Sequence, residues 1–208
     1  MATINAIFYV IILIMSVVIH EVSHGYAAYR YGDLTAYHAG RLTLNPLKHL
    51  ELFGSILLPF VLIVSHAGFV FGWAKPVPYN PANLKDKKRG TIAVAVAGVV
   101  ANCLLAILFG LFIRLMPHIG LTSESLYAIA STIVFVNIVL AIFNLVPIPP
   151  LDGSRILFAF LPARYRHLER TLEAYGIFII IFFILFLWKF LGPAMVFLFH
   201  FFTGLPVG

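Results

Sequence analysis

The chain has 208 residues, 62% of them hydrophobic and only 11% charged, with a mean hydropathy of +1.00. A soluble domain of this size cannot hide that much apolar surface, so hydrocarbon must solvate part of it, and an ordinary soluble enzyme is excluded. The formal net charge of +6 does not point to nucleic acid, because twelve of the fourteen Lys and Arg residues fall in 30–52, 72–90 and 153–173, each beside an apolar run. That is the pattern of cytoplasmic loops under the positive-inside rule.

The first 19 residues, MATINAIFYVIILIMSVVI, lack a basic n-region and a small-residue cleavage site, so they read as a retained span rather than a removed signal peptide. Apolar stretches long enough to cross a bilayer occur at about 5–29, 91–115 and 126–147. Residues 53–72 are also long enough, but they carry Pro59, Ser65, His66 and Gly68 and are flanked by basic stretches on both sides. Two cytoplasmic flanks require a re-entrant segment, covered by protein or a water-filled cavity. The run Lys85-Asp86-Lys87-Lys88-Arg89 is a topology signal first and an anionic-lipid contact second. The tail 174–206 is broken at Gly192-Pro193, giving one span plus a half-helix or two linked spans.

Two stretches between the spans have a different pattern. "GRLTLNP" (40–46) alternates Leu42 and Leu44 with Arg41 and Thr43, and "KPVPYNP" (75–81) is held extended by its prolines. They predict a small β-hairpin or sheet near the cytoplasmic face, whose edge could hold a substrate by strand addition; amphipathic loops at the lipid surface are the alternative. The expected fold is an all-α polytopic membrane protein of about five to six transmembrane helices, with the re-entrant segment and this hairpin. Residues 1–208 form one membrane-embedded domain, with core motifs in 16–160 and C-terminal helices in 174–206. The single cysteine, Cys103, excludes an internal disulfide and reads as a packing residue.

The chemistry begins inside the first span, at His20-Glu21-Val22-Ser23-His24. Residues four apart share a helix face, so His20 and His24 can offer ring nitrogens to one metal ion, while Glu21 can act as a base on water beside it. Zinc suits imidazole ligands. The alternative is a chance match near a helix end. An ionisable residue within a span costs on the order of 3 kcal/mol, which favours a functional reading for Glu21.

A catalytic zinc usually takes three protein ligands. "FNLVPIPPLDGSRIL" (143–157) ends the 126–147 span with Asn144, three prolines and Asp152. Asp152 is either the third ligand or the N-cap of a following helix. With 53–72 re-entrant, two full crossings separate the motifs and both lie at the inner face. The charge pattern and the metal site therefore require the same topology.

Taken together, these residues resemble the site-2 protease family of intramembrane zinc metalloproteases, whose marks are HExxH in one span and a distant NxxPxxxLDG, here 144–153. The similarity extends to "GRLTLNPLKH" (40–49), "GWAKPVPYNP" (72–81) and "AGVVAN" (97–102), and is closest to the compact branch without an appended PDZ or CBS domain. The resemblance implies one Zn2+ held by His20, His24 and Asp152, Glu21 as the catalytic base, and Asn144 and Asn102 as substrate-binding residues. The alternative for either asparagine is interhelical hydrogen bonding. Val99 stands where the family's AGPxxN element usually has proline, and Glu51 stands at the acidic position of the usual HxDPxG. His38, His49, His66, His118, His167 and His200 lack partners at ligand spacing, and His66 is the one that re-entrance could bring near the site.

The function this implies is hydrolysis of peptide bonds in or near transmembrane segments of membrane-protein substrates, in a multi-pass protein of the cell membrane with its active site towards the cytoplasm. The partners are a transmembrane protein substrate and the lipid bilayer, with no nucleic acid. The alternative is a non-protease zinc-binding membrane protein, such as a metal carrier or regulator.

Overall fold

A computed structural model describes residues 2–51, 74–162 and 165–205, with Gly54, Leu57, Val61, Val64 and Ser65 between. The proposed re-entrant course of 53–72, His66 included, lies outside the described residues apart from those five positions.

Helix α1 spans Ala2–Arg30. Its early residues Ile7, Phe8, Tyr9, Val10 and Ile11 are about half exposed, as expected of a face towards lipid, whereas Ser16, His20, His24 and Ala28 are all buried. Those four are spaced by four residues, so they form one stripe along one helix face. A single turn, α2 (Thr35–His38), follows.

Helix α3, Lys87–Leu115, starts at Asp86, whose carboxylate accepts from Arg89 N at 2.9 Å and caps the first turn. It carries its own stripe of buried positions at intervals of four, Gly90, Val94, Gly98, Asn102, Ala106 and Gly110. The small residues let its backbone approach its neighbours, which is what holds helices together in lipid, where hydrophobic burial supplies little drive. It is the central helix, packing against α1, against α4 (Glu124–Leu145), against α5 (Asp152–Phe160) and against α7 (Gly192–Thr203). Val99 does not interrupt it: α3 is helical throughout, with Val99 buried.

Away from the histidines, Ala106 and Ile113 of α3, Ala130, Val134 and Ile138 of α4, and Met195 and Phe199 of α7 form the apolar core. Arg114 closes that end: its guanidinium donates to the carbonyls of Phe201 and Phe202 at 2.6 and 2.8 Å, satisfying acceptors that the end of α7 leaves open. Helix α6 (Arg166–Phe182) runs into a π-helical turn at Phe183–Leu187 and a 3₁₀ turn at Trp188–Leu191, so the break in the tail comes just before Gly192-Pro193, with Pro193 in the first turn of α7.

Four helical stretches among the described residues are long and apolar enough to span a bilayer: Ile7–Arg30, Lys87–Ile119, Glu124–Leu145 and His167–Thr203. They account for four of the expected five to six. The chain is an all-α, multi-pass membrane protein. No strand forms among the described residues. The stretches 40–46 and 75–81 instead each lead into an Asn-capped 3₁₀ turn, at Asn45-Pro46 and Asn80-Pro81. Side chains replace much of a backbone ladder between them. Arg41 Nη2 donates to Lys75 O at 2.7 Å and Pro76 O at 3.3 Å, and Lys75 N donates to His49 O at 2.8 Å. Pro76 and Pro78 have no N–H to donate, which accounts for the missing ladder.

Candidate metal centre

The α1 stripe brings His20 and His24 one above the other, and the start of α5 brings Asp152 to them. Asp152 Oδ2 lies 3.0 Å from His20 Nε2 and 3.1 Å from His24 Nε2, and the two Nε2 atoms are 3.0 Å apart. All three residues are 5% exposed. Asp152 is not an N-cap: Leu151 takes that position, without a side-chain cap, and the Asp152 carboxylate points to the histidines. The start of α5 packs hard on the end of α4. A Cβ at residue 153 would collide with the Leu145 carbonyl and lie 2.6 Å from Val146 O, so only glycine fits after Asp152.

The hydrogen bonds behind the trio decide what it can hold. His24 Nδ1 is 2.6 Å from Val94 O, a carbonyl that can only accept, so Nδ1 carries the proton and Nε2 presents a lone pair. His20 Nδ1 is 2.6 Å from Asn102 Oδ1 and is a donor in the same way. With both imidazoles neutral, Asp152 Oδ2 therefore faces two bare nitrogens, and among the described residues no hydrogen-bond donor reaches it. Three converging lone pairs repel one another unless a cation lies among them. Ligands about 2.0–2.1 Å from a tetrahedral zinc stand roughly 3.3 Å apart, close to the spacing here. Two imidazoles and a carboxylate, each imidazole oriented by its second nitrogen, make a fitting donor set for such an ion.

Helix α3 supplies the mould. Val94, Gly98 and Asn102 share its face, and a Cβ at Gly98 would fall 2.6 Å from both ring nitrogens of His20. Glu21, next in sequence to His20, is half buried; its Oε2 accepts from Val77 N at 2.9 Å. The 75–83 strap that carries Val77 is fixed on one side of it by Arg41 and on the other by Asp33. Asp33 is fully buried and accepts from Thr35 N (3.1 Å), Asn80 N (2.6 Å) and Asn83 Nδ2 (3.0 Å), as well as from the Thr35 hydroxyl. Burial pushes its carboxyl pKa up, but the Thr35 and Asn83 side chains and the Asn80 and Thr35 amides outweigh that and hold it below the ordinary carboxylate value.

The two asparagines separate. Asn144 is half buried near the end of α4, where its Nδ2 donates to Leu140 O at 3.0 Å. Asn102, expected at the substrate, is fully buried, with its amide oxygen on His20 and its nitrogen on Asn137 Oδ1 at 2.8 Å. Those contacts put Asn102 behind His20 and form the interhelical hydrogen bonds of the alternative reading. His49 is buried in the loop, with Nε2 on Thr43 O at 2.9 Å. Motif reading missed Val94, Gly98, Val77, Asp33, Asn137 and Ser16. Asn137 carries a sequence signal, an amide in the middle of a span, while Val94 and Val77 act through backbone atoms that every residue has.

Comparison with known proteins agrees with a zinc site. Residues 115–187 match the family model for peptidase family M50, a range that includes Asn144 and Asp152. The chain is 40% identical to YwhC of Bacillus subtilis over 190 residues (88% of this chain, 80% of that protein) and 33% identical to Rip2 of Mycolicibacterium smegmatis (67% of this chain, 52% of that protein), both named "putative zinc metalloprotease". It is 26% identical to "Zinc metalloprotease MJ0392" of Methanocaldococcus jannaschii over 80% of this chain and 39% of that protein. No solved structure matches the chain significantly.

Proposed function

The chain belongs to peptidase family M50, and on that premise we propose that it is an intramembrane zinc metalloprotease whose ligands are His20, His24 and Asp152. The observation that carries this reading is the buried Asp152 Oδ2, which has no donor among the described residues and faces the Nε2 atoms of His20 and His24 at 3.0 and 3.1 Å. Zinc, when bound, supplies Lewis acidity towards water and the scissile carbonyl. Glu21 is the base: its carboxylate takes a proton from water and returns it to the leaving amine. The Val77 N–H fixes one carboxylate oxygen and thereby orients the other. Asn144, whose amide Nδ2 donates one hydrogen bond, to Leu140 O, among the described residues, is the substrate-binding side chain.

The substrates are transmembrane proteins, cut in or near a span, because two of the three ligands, His20 and His24, sit on a membrane-spanning helix. Positive-inside asymmetry favours a cytoplasmic site in the cell membrane. Lys85 N donates to Tyr31 O at 2.9 Å, so the end of α1 meets the basic start of α3, and Asp152 reaches His24 from the same end of the bundle.

Metal analysis of the purified protein tests the ligand set. One zinc per chain is expected, with His20→Ala, His24→Ala or Asp152→Ala each losing it to a competing chelator. Native zinc affinity in Asp152→Ala would overturn the assignment.

A further inference from the structure

We propose that Asn137 is a positioning residue for the metal centre, holding His20, through Asn102, in the one tautomer that leaves Nε2 able to ligate. The inference rests on His20 being a ligand. It starts from an asymmetry between the two histidines. The Nδ1 of His24 donates to a backbone carbonyl, Val94 O, which has only one way to face it. The Nδ1 of His20 meets a side-chain amide, Asn102, at 2.6 Å. An amide can turn over, and a turned Asn102 would present N–H to Nδ1, move the imidazole proton to Nε2 and remove the lone pair from the metal.

The structure contains the lock. Asn137 Nδ2 donates to Ile133 O at 2.9 Å, and a carbonyl can only accept, so the orientation of the Asn137 amide is determined. The same nitrogen reaches Ser16 Oγ at 3.0 Å. Asn137 Oδ1 must then accept, and it does so from Asn102 Nδ2 at 2.8 Å. That bond turns Asn102 Oδ1 towards His20. The chain of bonds runs from the α4 backbone through Asn137 and Asn102 to the ligand, with Asn102 and Asn137 both at 0% exposure. No water is needed to complete it. Ser16 adds a second acceptor and ties the relay to the α1 stripe one turn before His20, but Ile133 O alone fixes the orientation.

The role is separable from packing. Asn137→Leu keeps approximate volume and removes the acceptor that orients Asn102, whereas Asn102→Asp replaces a reversible amide with a carboxylate that accepts on either oxygen and has nothing to turn over. The test measures zinc affinity by chelator competition at one fixed pH in detergent, together with the ligand-field bands of the cobalt-substituted protein. Asn137→Leu is expected to bind zinc about 10–100-fold more weakly, the usual effect of losing a group that orients a ligand, with altered cobalt bands. Asn102→Asp/Asn137→Leu is expected to recover native-like bands and an affinity within about threefold of native, a rescue that a packing role would not give. If Asn137→Leu does not fold, Asn137→Ala takes its place in both proteins. Native affinity in the single variant would overturn the proposal, as would a double variant as weak as the single one. A native protein that binds no zinc would refute the ligand reading and the inference with it.

Discussion

The ring of His20 occupies the space that a side chain at Gly98 would need: a Cβ there would lie 2.6 Å from Nδ1 and from Nε2. One atom on α3 therefore controls whether a ligand on α1 can stand in place. Gly98→Ala should force the imidazole aside at a cost of about 1–3 kcal/mol, the usual penalty for overpacking. We expect zinc affinity to fall by about tenfold or more while the apolar core around Ala106, Val134 and Phe199 keeps the protein folded. Chelator competition beside a thermal unfolding curve checks both parts.

Gly153 has the same role for Asp152, the proposed third ligand, with the Leu145 carbonyl against it. Gly153→Ala should move Asp152 away from both histidines and lower zinc affinity. Asp152→Asn, which keeps the backbone, should lose the charge without moving α5. Comparing the two separates displacement of the ligand from loss of its charge.

Arg41 reaches the proposed base indirectly, by holding the carbonyls of Lys75 and Pro76 just before Val77. Arg41→Ala should loosen the strap and leave Glu21 without its fixed N–H partner. Turnover is expected to drop by roughly tenfold, part of the 10²–10⁴ range that a general base contributes, with zinc stoichiometry unchanged. Steady-state cleavage rates and metal content on the same preparation test this.

Asp33 makes the stability of the strap depend on pH. Its folded pKa is lowered, so its contribution is present above the ordinary carboxylate value of 3.8 and is lost as the pH falls through the lower folded value. Asp33→Asn should lower Tm at pH 7 by about 2–8 °C, and the gap from the native protein should narrow as the pH drops below about 4. Melting curves of both proteins from pH 7 to pH 3 would show the two converging.

Much of this was legible in the sequence because it follows from periodicity and charge. Spans long enough to cross and the pairing of His20 with His24 follow from hydropathy and helix repeat, and the motif resemblance put Asp152 with them. The supporting layer was harder to read. Val94 and Val77 act through main-chain atoms, and the role of Gly98 lies in what it lacks. Asn102 stood out through its match to the family's AGPxxN element, but its contact with His20 depends on which helix α3 faces. Asn137 was readable as an amide in an apolar run, and only the contact of α4 with Asn102 gives it a purpose. The alternation in 40–46 suggested a strand, yet the prolines of 75–81 lack donors and Arg41 makes the connection instead.

The most direct test is cleavage of a membrane-embedded model substrate in proteoliposomes by zinc-loaded native protein and by zinc-loaded Glu21→Gln. The native protein should cut the substrate, while Glu21→Gln should hold one zinc per chain and turn over at least about 100-fold more slowly. Cleavage by Glu21→Gln at the native rate would contradict a hydrolytic centre built on His20, His24, Asp152 and Glu21.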